Sequence, residues 1–234
     1  MSRKVRMFAA LAALASAPAA AQDAQFARFV EQANAAAPAP EIAEVTPAAL
    51  TAVQELNRQT GRCVPSGVRI EAPRPMTATR HIVHMIQSGE LRNGWTAYGR
   101  LEGCDESRPL LFIVLRPATG PLIVVPVTFG EAIANPSLIL DVRGPATIAA
   151  GSMATRLVPG CTEATDAALT GVRLVSRGED LGPDYYGVRY RGSWREAWTF
   201  AACGRRLELP ITFTADGQSG AGYSIHASEA RLVE

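Results

Sequence analysis

The sequence predicts an α+β fold: two divergent repeats of mainly antiparallel strands with short helices, each repeat closed by a disulfide. Three observations carry this reading. Segments with two-residue alternation outnumber those with helical spacing. Rare residues recur at matched intervals: Trp95 precedes Cys104 by nine positions, and Trp194 precedes Cys203 by the same nine. Each of these pairs follows its own Cys and Gly-Val-Arg-aliphatic run, Cys63 with Gly67-Val68-Arg69-Ile70 and Cys161 with Gly171-Val172-Arg173-Leu174. The order Cys, Gly-Val-Arg, Gly-Trp, Cys thus occurs twice, the signature of an internal duplication.

The chain opens with Arg3, Lys4 and Arg6, an apolar run from Met7 to Ala15, and Ala19-Ala20-Ala21 before Gln22. That order predicts a signal peptide over residues 1–21, cut before Gln22. The apolar run is too short to span a bilayer, and no later stretch offers about 20 uninterrupted apolar residues. No cysteine stands at the cut for lipid attachment. The expectation is a periplasmic or secreted protein with no transmembrane segment.

Residues 22–62 predict an N-terminal helical segment. Phe26, Phe29 and Val30 have helical spacing. A second helix is expected from Thr46 as cap and Pro47 as its first residue, with Leu50, Val53 and Leu56 on one face and Gly61 as its stop. Repeat 1, residues 63–133, predicts a strand at Val68–Glu71; in Thr77–Gln87 the alternation of Ile82, His84 and Ile86 also fits a strand, but Ile82, Val83 and Ile86 favour a helix, ended by Gly89. Three further strands follow, Trp95–Leu101, Leu110–Arg116 and Pro121–Phe129, with a turn at Thr119-Gly120. Residues 134–160 predict a linker helix opened by Asn135-Pro136 and broken or kinked at Gly144-Pro145. Repeat 2, residues 161–234, predicts strands at Val172–Ser176 and Tyr185–Tyr190. A pair of strands around Cys203-Gly204 and a last strand through Tyr223 and Ile225 complete it. Asp216-Gly217 starts the turn before the last strand.

Cys63, Cys104, Cys161 and Cys203 in an exported chain predict two disulfides. Three pairings exist. The duplication selects Cys63 with Cys104 and Cys161 with Cys203, since a repeat that once stood alone would close its own bridge. Each bridge is worth about 3–4 kcal/mol by loop closure. A four-cysteine zinc site needs close pairs, and no Cys-x-x-Cys occurs.

The run Gly192-Ser-Trp194-Arg-Glu196-Ala-Trp198 ending in Cys203-Gly204, with Asp216-Gly217 after the next strand, resembles a pattern in a group of exported two-repeat proteins of Gram-negative bacteria. Leu91-Arg-Asn93-Gly94-Trp95 and Asn135-Pro136 resemble the same proteins. The resemblance covers most of the chain after the leader. It implies architecture and export and assigns no activity.

Candidate site residues are few. Trp194, Glu196, Trp198 and Phe200 share one strand parity, so a carboxyl lies on an aromatic face. An apolar setting raises a carboxyl pKa, yet no second carboxylate stands in an evident partner position. The simpler expectation is a pair between Glu196 and Arg189 or Arg205. Trp95, Trp194 and Trp198 are either groove-lining or core anchors, and beside a disulfide the core reading comes first. His81 and His84 lie three apart, with His226 the only other histidine; ordinary surface histidines are expected. Gly217-Gln218-Ser219-Gly220-Ala221 lacks the last glycine of a nucleophile elbow and sits at a hairpin. The residues therefore assign no catalytic group, no metal and no cofactor.

Composition narrows the partners. The chain has 23 Lys+Arg and 22 Asp+Glu. Cleavage would remove three basic residues and leave 20 basic against 22 acidic. No basic stripe survives, which argues against nucleic acid as a partner. The expectation is a non-enzymatic envelope or interaction module, with an envelope protein or a small ligand as partner. The alternatives are a hydrolase of an envelope polymer and a small-ligand binding protein with its site between the repeats.

Overall fold

A computed structural model describes residues 19–163 and 167–233. The leader expected over residues 1–21 lies, but for its last three residues, outside them. The described chain is α+β, with a mixed sheet and one disulfide in each half.

The first helices are α1 (Ala19–Ala36) and α2 (Ile42–Gln59). They are followed by β1 (Gly67–Ile70), β2 (Arg74–Pro75), α3 (Arg80–Gln87), β3 (Leu91–Glu102), β4 (Leu110–Pro117) and β5 (Ile123–Glu131). The long helix α4 (Pro136–Leu157) leads into β6 (Ala168–Arg177), β7 (Ser193–Ala202), β8 (Arg205–Ala215), β9 (Ala221–Ile225) and β10 (Arg231–Val233). The main path of the sheet is β1-β3-β4-β5-β6-β7-β8-β10, with β2 on β3 and β9 on β8. Pairing is antiparallel within each half. The halves join through β5 and β6, which run parallel over Gly130–Val172 and Glu131–Arg173 only. Gly130 has φ 94°, and a side chain there would run into the Val172 carbonyl. Glycine is what lets the two strands meet.

The halves match in register at their tryptophan strands, although β2 and α3 of the first half have no counterpart in the second. Trp95 pairs with Val114 and Trp194 with Phe213, 19 residues on in both cases. Each half is led by a helix, α2 or α4, and each bridge ties the coil after that helix to the turn after the tryptophan strand. The bridges are Cys63–Cys104 and Cys161–Cys203, with Cα atoms 5.9 Å apart in both.

The two leading helices cover opposite faces of the sheet. Val45, Ala49 and Val53 of α2 pack with Trp95, Phe112 and Val114. Leu111, next to Phe112 and of opposite parity, belongs instead to the core under α4, with Ile139, Val142, Ala146 and Ala150. The expected linker helix is thus part of the second half's core. That core also holds Trp194, Trp198, Phe200 and Phe213, with Trp194 stacked on Phe213 at 5.2 Å between centroids. Helix α1 packs Phe26, Phe29 and Val30 against Ala78, Val188 and the tyrosines Tyr185, Tyr186 and Tyr190.

Three local expectations are corrected. Helix α2 starts at Ile42, not at Thr46-Pro47, because Val45 is needed in the core and is fully buried there. Pro47 then sits inside the helix, at the loss of one backbone hydrogen bond. Helix α4 runs through Gly144-Pro145 without ending. Asp141, whose carbonyl loses its donor, is exposed, as are Gly144 and Pro145, so water can take that bond. Tyr185–Tyr190 is not a strand. Tyr185 and Val188 exchange two hydrogen bonds across a tight turn in which Tyr186 and Gly187 have φ 47° and 91°. Both central residues have positive φ, as a type I′ turn requires. A comparable turn at Cys203-Gly204, φ 49° and 68°, makes the expected β7–β8 hairpin.

Candidate functional site

Glu196 is wholly buried in the middle of β7. Its carboxylate takes four N–H groups. Oε1 accepts from the backbone of Ile133 at 2.7 Å, from the backbone of Ala134 at 2.8 Å and from the Trp194 indole at 3.2 Å. Oε2 accepts from the Trp198 indole at 2.9 Å. Among the described residues its hydrogen bonds come from these N–H groups alone. The expected pairing with Arg189 or Arg205 is therefore corrected: Arg205 is exposed at the β7–β8 turn, and Arg189 lies in a loop outside the core.

The physical reason is strand parity. Three side chains two residues apart on one face bring both indoles to the carboxylate between them. The turn between β5 and α4 lies on that face and supplies backbone donors that no helix or strand uses. Burial pushes the Glu196 carboxyl above its ordinary range, while the four N–H groups favour the anion and work against that shift. Position 97 of the first half corresponds to Glu196 and holds alanine. There the Trp95 indole N–H is buried and finds no partner among the described residues. All three tryptophans are buried in the cores and line none of the described cavities.

The turn that Glu196 holds is the floor of a cleft. Tyr98 fastens the same turn from the first half, its hydroxyl accepting from the Ala132 N–H at 3.2 Å and donating to the Ala132 carbonyl at 3.3 Å. Burial raises the Tyr98 hydroxyl above its ordinary value. Above Ala132–Pro136 opens a cavity of about 330 Å³ between the two halves. It lies where β5 leaves the sheet for α4, beside the end of β6. The first half supplies Glu71, Arg74 and Glu131; the second supplies Arg177, Asp184 and Arg189. Asn135 caps α4 at the rim, its side chain accepting from the Leu138 N–H at 3.1 Å.

Pairing among these charges is slight. Arg189 donates to the Gly182 carbonyl at 2.9 Å and stands 3.8 Å from Asp184. Its Nε, the atom nearest Asp184, is buried and has no hydrogen-bond partner among the described residues. Arg74, Arg177, Glu71 and Glu131 form no ion pair among the described residues. Among the described residues no histidine, cysteine or serine lines the cleft. Its arginines and carboxylates are invisible as a set in the sequence, because they come from four separate segments, 71–74, 131, 177 and 184–189. Of the six, sequence reasoning points to Arg189 alone, and as a partner for Glu196.

The other candidates are scattered. His81 and His84 are exposed on α3, and His226 bonds Thr212 at 2.8 Å beyond β9. Among the described residues no group of three metal-ligating side chains forms. Ser219, with φ 71°, sits in the β8–β9 turn, where Asp216 accepts from the Gln218 and Gly220 N–H groups. No described helix is long and apolar enough to cross a membrane.

Comparison with family models, with curated proteins and with solved structures finds no match for this chain.

Proposed function

We propose that this is an exported, non-enzymatic binding module, made by duplication of a disulfide-closed unit, whose site is the cleft between the halves. The observation that carries the reading is the cleft floor. Ala132, Ile133 and Ala134 are each held by a side chain from a neighbouring strand, Tyr98 on one side and Glu196 on the other. A loop tied this closely presents a rigid surface to whatever enters above it, and preformed, few-sited concavities are where small ligands bind. Export is supported by the basic-apolar-Ala start of the chain and by two disulfides, which persist in oxidising compartments. Duplication is supported by the matched Trp-to-partner register, and kinship with exported two-repeat proteins of Gram-negative bacteria by the motif around Trp194.

The test is hydrogen exchange on the mature protein with and without a periplasmic extract filtered to small molecules. Residues 131–136 and 184–189 should gain protection. Thr96→Trp, which fills the cleft from β3, should abolish the gain. No change in either segment overturns the reading. The hydrolase alternative draws on Glu71, Glu131 and Asp184 in one cleft, since an enzyme of that kind needs two carboxyl groups together. It replaces the binding reading if the protein releases reducing ends from purified cell-wall glycan and Glu131→Gln stops it.

A further inference from the structure

Resting on the reading of the cleft as the binding site, we infer that its ligand is a small zwitterion, a free amino acid or short peptide lying across the two halves. The six charged side chains are not mixed at random. The first-half wall carries Glu71 and Glu131 with one arginine, Arg74. The second-half wall carries Arg177 and Arg189 with one carboxylate, Asp184. The first half therefore lends the cleft a net negative charge and the second half a net positive one. A ligand bearing a carboxylate at one end and an ammonium at the other matches both.

Two features place the carboxylate end. Among the described residues the buried Arg189 Nε–H makes no hydrogen bond, since the Asp184 carboxylate faces it at 3.8 Å, beyond bonding distance, and a planar guanidinium is built to take a closer carboxylate. Buried donors in native proteins are almost always satisfied, so an acceptor from outside the chain fits there. The N-terminus of α4 opens at the same cleft, capped by Asn135 and with no acidic residue in its first turn; the Glu196 carboxylate takes the Ile133 and Ala134 amides just ahead of it. The ammonium end then faces Glu71 and Glu131. The volume of about 330 Å³ is at the low end for small-ligand cavities, which suits a dipeptide rather than a long polymer.

The experiment uses the full mature protein and four probes, read by saturation-transfer NMR and titration calorimetry. Glycine and glycylglycine carry both charges, N-acetylglycine only the anion, and glycinamide only the cation. One or both zwitterions should bind, and each single-charge probe should bind at least about tenfold more weakly. Glycine against glycylglycine tells an amino acid from a peptide. Arg189→Met should weaken the zwitterion at least about tenfold, and Arg69→Met, outside the cleft, should leave it unchanged. If Arg189→Met does not fold, Glu131→Gln gives the same test from the opposite wall. Equal binding of N-acetylglycine, or no binding of either zwitterion, overturns the inference. Exchange protection of the cleft by extract without zwitterion binding removes only the ligand class; loss of both removes the cleft reading as well.

Discussion

Trp198 donates its indole N–H to Oε2 of Glu196 at 2.9 Å, two residues along the same strand, and both side chains are wholly buried. Among the described residues this is the only hydrogen bond on Oε2, whereas Oε1 has three donors. The two tryptophans beside Glu196 are therefore not equivalent.

Trp198→Ala should cost more than Trp194→Ala. Both lose about 3–5 kcal/mol of packing as large-to-small changes in a core. Only Trp198→Ala also leaves a buried carboxylate oxygen without a donor, which adds about 1–3 kcal/mol. Trp198→Phe isolates that second part. Urea midpoints decide the matter, and equal shifts for the two alanine variants would count against the asymmetry.

Glu196→Leu should be more damaging than Glu196→Gln. Leucine leaves the Ile133, Ala134, Trp194 and Trp198 N–H groups buried without an acceptor, a cost of about 3 kcal/mol or more. Glutamine keeps one oxygen for the three donors on Oε1 and sets its amide N–H against Trp198. Hydrogen exchange should report the Ile133 and Ala134 amides opening in the leucine variant. Unchanged protection there would show that the turn is held by other means.

Stability should fall in acid through Glu208. Burial alone would raise its carboxyl, but Arg173 at 2.8 Å and Arg231 at 2.7 Å overcome that and hold it below its ordinary value of 4.5. A carboxyl lowered on folding binds its proton less tightly in the native state. Its contribution is thus complete above about 4.5 and is lost as pH falls through the lowered value. The arginine side chains are 53% and 65% exposed, so solvent screening limits the effect to about 1 kcal/mol. The measurement is the difference in unfolding free energy between wild type and Glu208→Gln from pH 7 to 2, which should vanish at the acid end. Taking the difference separates Glu208 from Glu196, whose raised carboxyl acts with the opposite sign.

Loss of either bridge should remove about 3–4 kcal/mol, mainly through the unfolded state. Cys63→Ser and Cys104→Ser should be equally destabilised, because each breaks the same bond. Cleavage by trypsin after Arg143 or Arg156, in α4, should separate two disulfide-intact pieces without reductant once the chain is denatured. A non-reduced peptide joining Cys63 to Cys161 or Cys203 would contradict the pairing.

Protein recovered from periplasm should begin at Gln22. Intact mass checks this, and a retained leader would remove the support for export and for the oxidising setting of both bridges.

Much of the fold was legible in the sequence, and the reason is range. Alternation over β7 and β8 fixes which residues face together within a few positions. Asn135-Pro136 starts α4 and Cys203-Gly204 makes the hairpin because capping and turn conformations are properties of adjacent residues. The two disulfides were legible through repetition, since equal Trp-to-Cys intervals select one pairing out of three. Even Glu196 drew notice, as a charge on an aromatic face. Its partners did not. Ile133 and Ala134 lie 63 and 62 residues before it, and they reach it only because β5 turns parallel to β6 at Gly130 and delivers the next turn over β7. The cleft depends on the same crossing. Its charges come from strand ends and loops that carry no periodic signal, and only the path of the chain brings them to one place. Local hydrogen-bonding rules likewise misplaced the start of α2 and broke α4, because burial of Val45 and of Ala146 outweighs what one proline costs a helix. Short-range pattern thus determined the elements and bridges, while the tertiary structure decided what the buried carboxylate holds and where the cleft opens.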